Sequence, residues 1–203
     1  MESISPILQI AAGIVAIGAF IPYVYDIVWR NVRPNRASWA VLALNGTILF
    51  FSYQTEAGAH GATWLAAAYA VGPAIIFLLS LWKGSGGTSK FDITCASAAL
   101  VGLVLWQVTQ VPLVAIFMSI VIDFFALLPT LRGVWNGLPE SLSAWSIALI
   151  GSLLAVVGLD MWNLSTALYP LYVVIWNTSL ITLILRQKKL EKQALKESRP
   201  PLL

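Results

Sequence analysis

Charged residues are scarce in this sequence: they make up 10% of the 203 positions, whereas hydrophobic residues make up 59%. A water-soluble domain of this size carries about 25% charged residues. The apolar residues also come in blocks of about twenty, which is the helix length needed to cross a hydrocarbon core of roughly 30 Å. The shortage of charge therefore excludes a soluble globular domain and predicts an integral membrane protein in contact with the lipid bilayer.

Groups that build metal or catalytic sites are also scarce. The single cysteine, Cys95, excludes a disulfide framework, and the single histidine, His60, has no second His or Cys nearby to share a metal ion. No nucleophile motif, HExxH motif or phosphate-binding loop is present. We therefore expect no enzymatic activity, no metal and no cofactor. The net charge of +3 is explained by the loops between membrane spans, so no nucleic-acid partner is expected.

The apolar blocks predict seven transmembrane helices, at 5–29, 37–55, 62–82, 92–108, 112–135, 141–159 and 164–186. With these spans, all 12 lysines and arginines lie at the end of the first, third, fifth or seventh span or in the segment after it, and so on one side of the membrane. The positive-inside rule places that side in the cytoplasm. We expect the N-terminus outside and the C-terminus in the cytoplasm, in a multi-pass protein of the plasma (inner) membrane.

The two halves of the chain carry the same order of landmark residues. In each half these are a proline late in a span, a tryptophan, a loop proline and a tryptophan that opens the next span: Pro22, Trp29, Pro34 and Trp39, then Pro129, Trp135, Pro139 and Trp145. The repeated spans are separated by an even number of crossings, so the halves run in the same direction. The predicted fold is an all-α membrane protein of the 3+1+3 type. Its parts are a three-helix bundle at 1–86, a linker helix at 87–110, a second parallel bundle at 111–186 and a basic cytoplasmic tail at 187–203.

This arrangement resembles the PQ-loop superfamily, which includes the SWEET and SemiSWEET sugar carriers, the lysosomal cystine exporter and the nicotinamide riboside importers. The topology and the segments 21–51 and 128–157 carry the resemblance. The signature glutamine is replaced by Tyr23 after the first proline and by Thr130 after the second. The resemblance implies a small-solute transporter or facilitator in which the two bundles rock about a central site. Its substrate would be a sugar or another small polar metabolite, carried either with proton coupling or passively.

Polar residues inside the predicted spans are the candidate site. Asp123 falls near the middle of the fifth span, where an ionisable group faces a cavity or a partner more often than lipid, and it is the candidate for proton coupling. Trp176 and Asn177 combine a flat apolar face with amide donors and acceptors, and with Asn45 they are the candidates for substrate binding. The resemblance adds weight to Asn177, because an asparagine on the third helix of each bundle contacts substrate in SWEET-like carriers. For each residue the alternative is a helix–helix packing contact.

Four prolines interrupt the predicted spans: Pro22, Pro73, Pro129 and Pro170. Each one frees a backbone carbonyl inside its helix, so we interpret them as hinges, with a static bend as the alternative. We expect Pro22 to share one central cavity with Asp123, Trp176 and Asn177. The alanines at every fourth position of the third span (Ala62, Ala66, Ala70 and Ala74) should face their own bundle.

Two rival functions stay open at this stage. One is a non-transporting receptor or interaction protein of the same fold. The other is an oligomeric ion channel, which would favour a continuous polar lining that these spans do not provide. The sequence leaves the identity of the small-molecule substrate and the oligomeric state undetermined.

Overall fold

The computed structural model describes residues 5–56, 62–109, 112–162 and 164–197. Apart from one isolated bridge between Asn35 and Ser85, the regular structure in these ranges is entirely helical. The helices are α1 (Ser5–Gly18), α2 (Phe20–Trp29), α3 (Arg36–Glu56), α4 (Ala62–Lys83), α5 (Lys90–Thr109), α6 (Pro112–Trp135), α7 (Leu142–Val157) and α8 (Leu164–Glu197). The all-α class is confirmed, and each predicted span overlaps one helix or, for the first span, the pair α1 and α2.

The first predicted span is interrupted. Helix α1 ends at Gly18 and α2 begins at Phe20, with Ala19 between them. Pro22 accounts for the interruption, because it has no amide hydrogen to donate to the carbonyl of Gly18 and its ring crowds that carbonyl. The helices that contain Pro73, Pro129 and Pro170 continue past those residues. Of the four hinge candidates, Pro22 is therefore the one that coincides with a break in the described helices.

Among the described residues, three helices are long and apolar enough to cross a membrane by length and composition: Ser5–Trp29, Phe117–Trp135 and Thr166–Lys196. Large apolar side chains stand on the outer surface of all three, with Ile14 62%, Phe117 53% and Ile175 66% exposed. Such a surface is unusual for a soluble monomer and suits contact with lipid. Helix α8 runs on beyond this apolar region to Glu197, so the beginning of the basic tail is helical and exposed.

The helices pack as two triples, which we call the first triple (α1 with α2, α3 and α4) and the second triple (α6, α7 and α8). In the first triple α4 packs against both α1 and α3, and in the second α8 packs against both α6 and α7. Between the triples, α1 contacts α7 and α3 contacts α6. Each of these contacts joins the first helix of one triple to the second helix of the other, which is the reciprocal pattern of a two-fold relation. Helix α5 lies along α6 and α3.

Three loops lie together at one end of the helices. The backbone N–H of Ser85 donates to the carbonyl of Pro34, and the N–H of Arg36 donates to the carbonyl of Ser85. The hydroxyl of Ser141 donates to Asp26 Oδ2 over 2.5 Å. These bonds join the α2–α3 loop to the α4–α5 loop, and the end of α2 to the α6–α7 loop.

Helices α3 and α4 approach most closely at Gly46. A Cβ atom added there would lie 1.9 Å from the carbonyl oxygen of Tyr69. That carbonyl has lost its usual helical donor, because the residue four positions later is Pro73. Gly46 thus allows α3 to cover a backbone group that α4 itself leaves without an N–H. In the predicted alanine stripe, Ala70 and Ala74 are half-buried, and the side chains of the other two alanines lie outside the described set.

We expect Gly46→Ala to lower the free energy of unfolding by about 1–3 kcal/mol, because the added methyl overlaps backbone that cannot move aside. Gly18→Ala is the matched control, since a Cβ atom there meets nothing within 4 Å. Both variants are compared by unfolding of the purified protein in mixed micelles. Equal stability of the two variants would contradict the close approach.

Candidate functional site

A cavity of about 80 Å³ lies between the two triples. Eight of its 19 described lining residues are aromatic, four from each half of the chain: Phe20, Tyr23, Trp39 and Tyr69, then Trp145, Tyr169, Tyr172 and Trp176. Among the described residues that line it, the one carboxylate is Asp123 and the one amide is Asn177. Lysine and arginine do not contribute to this described lining. The candidate residues Asp123, Trp176 and Asn177 therefore share one cavity, together with Pro73.

Asp123 is held by hydrogen bonds from two other helices. Its Oδ1 accepts from the side-chain amide of Asn45 over 2.7 Å, and its Oδ2 accepts from the hydroxyl of Tyr169 over 2.9 Å. All three side chains are buried, with Asn45 2%, Tyr169 5% and Asp123 7% exposed. The three residues belong to α3, α8 and α6, so the carboxylate joins a helix of the first triple to two helices of the second.

Two sequence-based expectations need correction here. Asn45 was predicted to bind substrate, but it does not line the cavity, because its amide donates to Asp123 and, over 3.4 Å, to the carbonyl of Ser119. It is a positioning residue for the carboxylate. Pro22 was expected in the cavity and is not part of the lining, since the neighbouring Tyr23 turns its ring inward instead.

The carboxylate has no counterpart in the repeat. When the two halves are aligned on their matching prolines and tryptophans, Asp123 corresponds to Ala16 and Asn45 corresponds to Gly151. A Cβ atom added at Gly151 would lie 3.2 Å from the backbone nitrogen of Ala16, so these positions are also in contact. One contact between the triples is therefore a polar pair, and its counterpart is a close approach of small residues.

Two aromatic pairs bridge the triples at different levels of the cavity. The ring centroids of Trp39 and Trp145 are 6.5 Å apart, and those of Tyr69 and Tyr169 are 6.4 Å apart in an edge-to-face arrangement. Tyr69 lies at the level of Gly46, and Gly46 is seven residues after Trp39 along α3. The Trp39–Trp145 pair and the Tyr69–Tyr169 pair are therefore separated by roughly 10 Å along the helix axis. Each pair takes one ring from each triple, so moving the triples apart at either level would separate a pair.

Several buried donors of the lining lack an acceptor. Among the described residues, five buried side-chain polar atoms have no hydrogen-bond partner, and all five belong to residues that line the cavity: Tyr23 Oη, Trp39 Nε1, Trp145 Nε1, Tyr172 Oη and Trp176 Nε1. A buried polar group without a partner costs about 1–3 kcal/mol, so such groups rarely accumulate without a purpose. The Tyr23 hydroxyl and the Trp145 N–H nevertheless lie near the Glu140 carboxyl, and the Trp39 N–H lies near the Tyr23 hydroxyl. The donors without a nearby acceptor in the described residues are therefore Tyr172 Oη and Trp176 Nε1.

The α6–α7 loop closes over the end of the cavity that contains Trp39 and Trp145. Partial burial raises the pKa of the Glu140 carboxyl above its ordinary value. The nearby Tyr23 hydroxyl opposes this shift without reaching hydrogen-bonding geometry, and the backbone N–H of Ser141 opposes it by donating to Glu140 Oε1 over 3.1 Å. This loop thus brings a second carboxylate close to the aromatic lining.

Sequence reasoning found the polar members of the site and missed most of its surface. Of the eight aromatic rings, only Trp176 was proposed, because Trp39 and Trp145 were explained by their position near span ends. The repeat itself contained a usable signal, since Trp39 and Trp145 occupy equivalent positions in the two halves. Within 5–56, 62–109, 112–162 and 164–197, no group of three or more His, Cys, Asp and Glu side chains is placed to hold a metal ion.

Comparisons with protein-family models, with curated proteins and with solved structures gave no match for this chain. Its function is therefore argued from the cavity and from the helices that form it.

We expect Tyr169→Phe to lower the free energy of unfolding by about 2 kcal/mol, because it removes a hydrogen bond to a buried carboxylate and leaves one oxygen unpaired. Tyr25→Phe is the control, since Tyr25 is 47% exposed and its hydroxyl has access to solvent or lipid headgroups. Unfolding in mixed micelles measures both. A Tyr169→Phe protein as stable as the control would show that Asp123 does not depend on this donor.

Proposed function

We propose that this protein is a small-solute membrane transporter or facilitator of the PQ-loop type, with a central site between two rocking bundles. The bundles are the first and second triples, α5 is the linker helix between them, and the chain crosses the membrane seven times. The observation that carries the proposal is the cavity between the triples, which contains Asp123, Trp176 and Asn177. A small polar solute, a sugar among the candidates, is the expected substrate class.

The packing of the helices supports this architecture. A protein of the 3+1+3 type needs two parallel halves related by an axis along the membrane normal. The reciprocal contacts of α1 with α7 and of α3 with α6 support such a relation between the halves. The triples contact each other mainly through these two helix pairs, with a smaller contact of α2 with α7. A rotation about the two main contacts would open one end of the cavity while closing the other.

The two aromatic pairs are the proposed gates. Separation of Trp39 from Trp145 would open the end nearest the α6–α7 loop, and separation of Tyr69 from Tyr169 would open the opposite end. The break at Ala19 allows α2 to change its angle to α1. Opening of the first gate would then break the Ser141–Asp26 hydrogen bond and the contact of α2 with α7, while α1 keeps its own contact with α7. The break caused by Pro22 is the hinge that this mechanism uses.

The rival functions make different demands. An ion channel needs a continuous polar path, whereas the described lining of the cavity is dominated by aromatic and aliphatic side chains. A receptor needs the cavity but no second opening. Transport across a sealed membrane separates the receptor from the transporter.

The proposed orientation places the three joined loops and the end of α8 in the cytoplasm. Single cysteines at Asn136 and Gln193, both exposed, should be protected from an impermeant thiol reagent added to intact cells, and a cysteine at Asp160 should be labelled. His60 and Asn163, which lie outside the described residues, are expected on the labelled side as well. The background is Cys95→Ala, which removes a thiol that is only 4% exposed. Labelling at Asn136 from outside would contradict both the orientation and the number of spans.

Transport is tested with purified protein in proteoliposomes and a panel of radiolabelled sugars, amino acids and small organic ions. We expect at least one solute to exchange across the membrane faster than in protein-free vesicles. If Asp123 carries a proton with the substrate, Asp123→Asn should abolish uptake driven by a pH gradient while substrate exchange at equal pH persists.

The matched control is Asp160→Asn, which removes an exposed carboxylate far from the cavity lining. It should leave both activities unchanged. A protein that binds a solute but exchanges none would be a receptor. If uptake depends on the pH gradient to the same extent in the wild-type and Asp123→Asn proteins, Asp123 has a structural role only.

A further inference from the structure

The cavity combines aromatic faces with a single negative charge. Aromatic rings carry negative electrostatic potential on their faces, and a group of such rings is the usual protein device for holding an organic cation. Around Asp123 the rings form a continuous series: Tyr69 with Tyr169, Tyr169 with Tyr172, and Tyr172 with Trp176 have centroids 6.4, 6.3 and 6.5 Å apart. No described lysine or arginine of the lining opposes a positive charge there.

We propose that the site takes a small organic cation of the ammonium class that also carries one oxygen able to accept hydrogen bonds. This inference rests on the proposed function and specifies its substrate class. The cationic group lies against the rings of Tyr169, Tyr172 and Trp176 beside the carboxylate, and the oxygen meets the unpaired donors of the lining.

The charge of Asp123 favours a cation over a neutral hydroxyl as its partner. Both carboxylate oxygens already accept, from Asn45 at 2.7 Å and from Tyr169 at 2.9 Å. Each oxygen keeps a second acceptor site, so a neutral polyol could also bind there, but it would gain little from the negative charge. An alkylated ammonium group has little or no hydrogen to donate, so it gains from the negative charge without displacing either bond.

The donors without a partner indicate where the oxygen of the bound cation would lie. Tyr172 Oη and Trp176 Nε1 are buried and have no described hydrogen-bond partner, and both residues belong to the ring series next to Asp123. An oxygen a few bonds from the cationic centre would accept from them and remove the cost of their burial. The cavity of about 80 Å³ restricts the occupant to a compact molecule.

The test measures binding of choline to the protein in nanodiscs by calorimetry. Two comparison probes are used. The first is 3,3-dimethylbutan-1-ol (dimethylbutanol), the neutral isostere of choline in which carbon replaces the ammonium nitrogen. The second is tetramethylammonium, which lacks the oxygen. We expect choline to bind at least about tenfold more tightly than dimethylbutanol, because only choline carries the charge. This comparison uses the wild-type protein and so does not depend on the folding of a variant.

Two variants assign the effect to the site. Asp123→Asn should weaken choline binding about tenfold without changing the affinity for dimethylbutanol, and Asp160→Asn should change neither. Trp176→Phe keeps a ring and loses the indole N–H, so it should weaken choline binding more than tetramethylammonium binding.

Equal affinity for choline and dimethylbutanol, or no measurable choline binding, would overturn the inference. Proteoliposomes that carry a neutral or anionic solute from the panel in preference to choline would overturn it while leaving the transporter in place. Choline binding without exchange across the vesicle membrane would support the cation site and overturn the proposed transport.

Discussion

Asp123 accepts hydrogen bonds from Asn45 and Tyr169 at the point where α3, α6 and α8 meet, and much of the cavity depends on this arrangement. An ionisable group in apolar surroundings must be satisfied by protein donors, because neither lipid nor a dry interior supplies them. Meeting that requirement joins a helix of the first triple to two helices of the second. It also places the ring of Tyr169 on the cavity wall, next to Tyr69.

At Gly151, the equivalent contact between α1 and α7 joins the two triples without polar side chains. Gly151 approaches the backbone of Ala16, and the buried alanines Ala12, Ala16, Ala68 and Ala155 form one cluster around this contact. Small residues allow close backbone approach and leave nothing unsatisfied. The repeat thus retains its geometry while its chemistry differs between the two sides. The two-fold arrangement of helices therefore has a carboxylate on one side only.

The aromatic lining carries two properties that belong together. In the proposed function its rings hold a cation, and the Tyr172 and Trp176 donors bind an acceptor that the described protein does not provide. A static packing core would pair such donors or replace the residues with Phe and Leu. Retaining the Trp176 N–H and the Tyr172 hydroxyl without an acceptor is explained if the proposed occupant supplies one.

The sequence alone determined the helical class and the approximate bounds of α3 to α7, because apolar block length and charged or proline-containing loops are local properties. It missed the division of the first span into α1 and α2 and the extension of α8 to Glu197. The sequence also identified Asp123, Trp176 and Asn177, since a polar or amphipathic side chain inside an apolar block can be recognised without knowing its neighbours. The partner of Asn45, the inward-facing rings, the close approach at Gly46 and the break at Ala19 were decided by tertiary structure. A helix that is apolar all round has no hydrophobic periodicity to show which face is buried, so only the packing of the helices sets which side chains meet.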